Sequence, residues 1–239
     1  MTIDIEAVRA DTPACRDLIH FNNAGAALQP TCVVESVIEH LRLEAKIGGY
    51  EAQDAARPAR ATTYAATARL LNCAPEEVAM TNGASEAWWR AFQSVPLGPG
   101  DRVLASCAEY NSNAFALIQA ARSDIVVDIV PDDADGQIDL DALASMLDER
   151  VKLVTLTHAP TSGGLVNPAE EVGAIVKQHG ALYLLDACQT AGQRVLDVNE
   201  MQCDFLTFTG RKFVRGPRGT GVLYVRATSM AGLDDPTFI

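Results

Sequence analysis

Four groups of residues in this chain could do chemistry, and each stands where an apolar run gives way to small or polar residues. Lys212 follows an apolar run and a glycine in Phe208-Thr209-Gly210-Arg211-Lys212-Phe213. A lysine held there out of water keeps more of its amine neutral, and a neutral amine condenses with a carbonyl to form a Schiff base. A solvated basic cluster with Arg211, Arg215 and Arg218 is the plainer alternative. Asp186 ends the run Leu182-Tyr183-Leu184-Leu185, with Gln189 three residues on. A carboxylate at such a strand end caps a helix or needs a cationic or hydrogen-bonding partner. Thr81-Asn82-Gly83-Ala84-Ser85-Glu86 is a small-residue turn whose exposed amides, with the Ser85 hydroxyl, could face an anion. A helix dipole supplies only about 0.3–1 kcal/mol, so a phosphate held there needs further anchors, and an ordinary capped turn is the alternative. Tyr110 and Asn113 follow the run Arg102–Ser106, where an aromatic ring either stacks on a flat ligand or simply packs.

The elements that must position these groups alternate. Strands are expected at 78–80, 102–106, 125–130, 152–157, 181–187, 203–209 and 221–226. Helices are expected at 86–95, 113–122, 139–150 (capped by Asp139) and from Pro168 to a stop at Gly180. Runs such as Leu182–Leu185 lack strict alternation, as suits strands covered on both faces. The fold class is therefore α/β, a mainly parallel central sheet flanked by helices. Two earlier helices are expected at 31–47 and 52–72, divided at Gly48-Gly49, and residues 227–239 read as a loop-like tail. Gly216-Pro217-Arg218-Gly219-Thr220-Gly221 precedes a strand rather than opening a helix. That sets aside a P-loop or dinucleotide fingerprint, and with it a nucleotide-binding module.

Composition narrows the partners. The chain has 239 residues, 48% hydrophobic and 21% charged, an ordinary globular balance. A net charge of −12, from 19 basic against 31 acidic residues, repels nucleic acid and anionic lipid. No apolar run reaches the roughly 20 residues that cross a bilayer, and the N-terminus lacks a leader-like pattern, so the expected compartment is the cytoplasm. The six cysteines show no paired or zinc spacing and read as mostly small buried hydrophobes, with no metal site. His158 reads as structural.

Taken in order, a phosphate turn, an aromatic ring, an acid and a lysine meet the needs of pyridoxal phosphate: anchor, stacking face, partner for the pyridine nitrogen, and amine for the aldehyde. At this point the sequence resembles the class V aminotransferases, the group that includes cysteine desulfurases and selenocysteine lyases. The resemblance runs from Phe21-Asn22-Asn23-Ala24-Gly25 to about Arg226, and is most specific at Gly180–Gln189 and at Thr209-Gly210-Arg211-Lys212. It implies a fold-type-I large domain at 76–226, preceded by an N-terminal segment and helices at 1–75, with the family's C-terminal small domain absent after the tail. It implies that Lys212 holds the cofactor covalently and moves protons at the substrate Cα, and that Asp186 pairs with the pyridine nitrogen. Gln189 would approach the phenolic oxygen, while Ala84, Ser85, Thr209 and Arg211 would hold the phosphate. Tyr110 stands where the family often has a histidine, and Arg211 where a histidine often precedes the lysine. The implied reaction is carbon–sulfur lyase or cysteine desulfurase-like chemistry on an amino acid, with transamination or epimerisation as alternatives. A homodimer is implied too. A non-catalytic, cofactor-binding fragment is the reading from another class.

Overall fold

A computed structural model describes residues 3–235. The chain opens with α1 (Ile5–Ala10), α2 (Thr31–Ile47), α3 (Gly49–Ala55) and α4 (Arg57–Leu71). Strands and helices then alternate as β1 (Val78–Thr81), α5 (Ala84–Ser94), β2 (Arg102–Ser106), α6 (Asn111–Ala121), β3 (Val126–Val130), α7 (Leu140–Met146), β4 (Val151–Thr157), α8 (Ala169–His179) and β5 (Leu182–Asp186). The last two strands are β6 (Phe205–Thr209) and β7 (Gly221–Val225).

The seven strands form one sheet in the order β1-β7-β6-β5-β4-β2-β3. Strands β2 to β6 pair in parallel, whereas β7 runs antiparallel to both β6 and β1. Helices cover both faces. Leu104, Val154, Leu185 and Leu206 meet Val172 and Val176 of α8 on one side. On the other, Val103, Leu153, Leu184 and Phe205 meet Trp88 and Phe92 of α5 and Leu117 of α6. Each such fully buried side chain contributes about 1.5–3 kcal/mol by leaving water. This double covering is why β4, β5 and β6 carry near-continuous apolar runs, and it is the expected α/β architecture.

Several local boundaries differ from the sequence expectation. The single helix expected over 52–72 is two, α3 and α4. Pro58 has no N–H, and its ring would clash with the Asp54 carbonyl of a continuing helix, so it starts a new one. The helix expected over 139–150 stops at Met146, because Leu147 is extended and Asp148 turns its carboxylate to Arg102 and Arg150. Helix α1, capped by the Asp4 side chain, was not expected. The cysteines are not mostly buried: Cys15, Cys32 and Cys107 are exposed, Cys73 and Cys188 half-buried, and Cys203 alone is fully buried. Cys15 and Cys32 lie in N-terminal segments that bury almost no side chains, and Cys107 sits just past the end of β2. Of the tail, residues 227–235 hold a single-turn helix at Met230–Gly232, while 236–239 lie outside the described residues. Among the described residues no helix is long and apolar enough to cross a membrane.

Candidate functional site

The C-terminal ends of the parallel strands open onto a cavity of about 310 Å³, the position where open α/β sheets place ligands. Ala84, Ser85, Tyr110, Asp186, Thr209, Arg211 and Lys212 all line it, joined by Asn113 and Ser112. Lys212 is 3% exposed, and its Nζ lies 5.4 Å from the centroid of the Tyr110 ring. The sequence thus brings a buried amine, an aromatic face and a carboxylate into one space.

Two helix starts converge on this cavity. Ala84 and Ser85 open α5, so their amides have no acceptor within the helix. Helix α6 opens next to them, and the Ser85 and Ser112 hydroxyls stand 2.9 Å apart across the gap. Each helix start carries roughly half a positive charge, and Arg211 adds a permanent cation. The turn before α5 is seated by a close backbone approach. A Cβ on Gly221 would fall 2.3 Å from the Gly83 carbonyl carbon, whereas the space beside Gly83 itself is open.

Asp186, at the end of β5, is 5% exposed. Its Oδ1 accepts from the Cys188 amide (2.9 Å) and its Oδ2 from the Asn113 Nδ2 (2.9 Å). Cys188 lines the cavity as well, but burial, reinforced by the Asp186 charge, pushes its thiol well above the usual range. Thr209 donates its hydroxyl to the Thr220 carbonyl at 3.0 Å, and Arg211 Nη1 approaches the same Thr209 oxygen at 3.4 Å.

Gln189 is the sequence-picked residue that the structure does not bring into the cavity lining. Its Nε2 donates to the Ala24 carbonyl and the Thr161 hydroxyl, both at 3.1 Å, and its Oε1 is buried without a partner. His158 lies behind Asp186, donating its backbone amide to the Asp186 carbonyl at 3.0 Å and sharing a hydrogen bond between Nδ1 and the Thr190 hydroxyl at 3.0 Å. Burial, with the nearby Arg194 charge second, holds its imidazole down to about 4.

Two residues escaped the sequence reading. Ser112 is invisible as a partner until α5 and α6 are placed side by side. Glu109 stands next to Tyr110 and turns its carboxylate inward, to the Ser106, Thr155 and Thr157 hydroxyls and the Asn113 amide. The signal for it was in β4, whose two threonines alternate along one face of a buried strand and must find polar partners there.

Comparison with known proteins gives this geometry a family. The family model described as aminotransferase class-V matches residues 19–237. A "Probable cysteine desulfurase" of Pyrococcus abyssi is 31% identical over 230 residues, which cover 92% of this chain and 56% of that protein. A cysteine desulfurase of Synechococcus elongatus is 32% identical over 237 residues, covering 92% of this chain and 37% of that protein. The solved apo structure of the cysteine desulfurase of Thermococcus onnurineus NA1 superposes with a TM-score of 0.90 at 26% identity, covering all of this chain and 61% of that one. This chain therefore spans from about a third to three-fifths of these relatives. With the match extending from the N-terminal segment through every strand, the chain belongs to the class-V aminotransferase family.

Proposed function

We propose that the cavity binds pyridoxal 5'-phosphate and serves an enzyme that cleaves the carbon–sulfur bond of cysteine or a cysteine-like amino acid. The observation that carries this reading is the buried Lys212 amine, placed in one cavity with Asp186, Tyr110 and two converging helix starts. Cysteine desulfurases among the relatives support the substrate class. The residues present fit the group. Open space beside Gly83 and the unpaired first-turn amides suit a phosphate, and Asp186 retains acceptor capacity beyond its two hydrogen bonds.

When bound, pyridoxal phosphate supplies an electron sink for the bonds around an amino acid's Cα. In this reading Lys212 would hold the cofactor through its amine and, with substrate bound, would move a proton at the substrate Cα. Asp186 accepts from the protonated ring nitrogen; at an effective dielectric near 20, opposite charges at 4 Å gain about 4 kcal/mol. Tyr110 would offer an aromatic face for the ring to stack on. The Ala84 and Ser85 amides and Arg211 hold the phosphate, and Thr209 joins them only by releasing the Thr220 carbonyl. Gln189 reaches the phenolic oxygen only if its amide leaves Ala24 and Thr161. Cys188 stays protonated and is a poor acceptor of sulfur. We further propose a cytoplasmic homodimer, supported by the exposed Ile19, Phe21 and Tyr50.

The test is a product balance on the cofactor-loaded chain given cysteine. Pyruvate with sulfide marks a lyase, and alanine with thiol-trapped sulfur marks a desulfurase. Glutamate formed from added 2-oxoglutarate would instead mark a transaminase, and loss of chirality alone an epimerase. Bound cofactor with no product from any of these would leave the non-catalytic reading.

A paired substitution tests the phosphate turn separately. Gly221→Ala should lower stability by about 1–3 kcal/mol, because the new methyl overlaps the Gly83 backbone. Gly83→Ala should leave stability within about 0.5 kcal/mol while weakening cofactor binding. Urea titrations and cofactor titrations of both variants check this, and equal behaviour of the two would reject the arrangement.

A further inference from the structure

The carboxylate of Glu109 lies behind the cavity wall and is tied to Asp186 through a single amide. Its Oε1 accepts from the Ser106 hydroxyl at 3.1 Å and the Thr155 hydroxyl at 3.0 Å. Its Oε2 accepts from the Thr157 hydroxyl at 3.0 Å and from Asn113 Nδ2 at 3.2 Å. Asn113 is 1% exposed, and the same Nδ2 donates to Asp186 Oδ2 at 2.9 Å. An amide nitrogen carries two hydrogens, so Asn113 gives one to each carboxylate.

That sharing fixes three things at once. The opposite orientation of the Asn113 amide would aim its oxygen at two carboxylates, so the flanking acids select one rotamer. Four donors directed at two oxygens suit the ionised, acceptor-only form of Glu109. Burial, with the Asp186 charge second, still leaves its carboxyl raised, and the Asn113, Thr155 and Thr157 donors offset only part of that push. The hydroxyls that hold Glu109 come from β2 and β4, in the middle of the parallel sheet. Rigidity therefore passes from the sheet to Glu109, from Glu109 to Asn113, and from Asn113 to the acid that faces the cavity.

We propose that Glu109 is a positioning residue: through Asn113 it holds Asp186 in the orientation that keeps the ring nitrogen of a bound pyridine protonated. The proposal rests on the reading of the cavity as a pyridoxal phosphate site. Neither Glu109 nor Asn113 needs to touch the substrate. Removing Glu109 frees the Asn113 amide to rotate, and Asp186 then loses one of its two fixed donors.

The experiment loads the chain with pyridoxal phosphate isotopically labelled at the ring nitrogen and reads that nitrogen by NMR at neutral pH. In the unaltered chain the signal should be that of a protonated pyridine. Glu109→Ala and Asn113→Ala should each move it towards the unprotonated position and weaken cofactor binding about 10- to 100-fold. The double variant should lose no more than the worse single one, since both act along one path. Glu109→Gln, whose oxygen can still accept from Asn113 while its NH2 faces hydroxyls, should restore most of the signal. If Glu109→Ala does not fold, Thr155→Val with Thr157→Val, which removes two of the Glu109 donors, must shift the signal in the same direction. A ring nitrogen that stays protonated in the folded variants, or losses that simply add, would overturn the proposal alone. No cofactor bound to the unaltered chain would overturn both the proposal and the reading on which it rests.

Discussion

Lys212→Ala should abolish covalent capture of pyridoxal phosphate while leaving the chain folded. Among the described residues Lys212 is the one lysine lining the cavity, and it is withdrawn from water against the Tyr110 ring. An alanine there removes the nucleophile outright, and no neighbouring side chain can replace it: Arg211 is permanently charged and Cys188 is held protonated. Borohydride treatment followed by peptide mapping reads the outcome directly. The unaltered chain should yield one adduct, on the peptide carrying Lys212, and the variant none. The Ala84 and Ser85 amides proposed to hold the phosphate lie on α5, away from Lys212, so the variant should still bind the cofactor reversibly. An adduct of undiminished yield in the variant would take Lys212 out of its role.

The second large effect concerns stability and acid. His158 is 2% exposed, and its imidazole is depressed from 6.5 to about 4. A folded-state value below the unfolded one means that the unfolded chain binds more protons between those limits, so stability falls as pH falls. The stability that neutral His158 contributes is complete above about pH 6.5 and is lost as pH drops through about 4. The corresponding free energy is about 3 kcal/mol, large beside the 5–15 kcal/mol typical of a whole domain. Urea unfolding across this window should show a steep acid slope in the unaltered chain and a shallower one in His158→Gln. Parallel slopes would mean that His158 is already protonated in the folded state. Because its amide is bonded to the Asp186 carbonyl, this acid sensitivity acts directly beneath the cavity.

What the sequence revealed follows from which features are local. Lys212, Asp186 and the turn at 81–86 were legible because each sits at a strand end, and an open parallel sheet gathers its strand ends at one rim. The layered fold was legible in the unbroken apolar runs of β4, β5 and β6. The antiparallel placement of β7 was not, since nothing near Gly216–Gly221 records that its chain turns back to lie between β6 and β1. Glu109 was missed for a related reason. Its partners Thr155 and Thr157 lie 46 and 48 positions away, and only the register of β2 against β4 brings them together. Gln189 is placed differently. Three residues beyond Asp186 the chain has already turned, and its amide faces Ala24 and Thr161 instead of the cavity.

The position of β1 has a kinetic consequence. Its strand partner is β7, with Val78 opposite Tyr224, so β1 cannot dock until almost the entire described chain exists. Strands β2 to β5 can pair in succession through crossover helices, and β6 follows through a helix-free connection, whereas the β1 pairing closes a very long loop, and pairings of that kind form slowly. A chain emerging from its N-terminus makes β1 early and must leave it unpaired. The phosphate turn at 82–83 rides on that strand and is wedged against Gly221. Ligand binding at that turn should therefore await the β1–β7 pairing, and its appearance during refolding should mark the closing of the sheet.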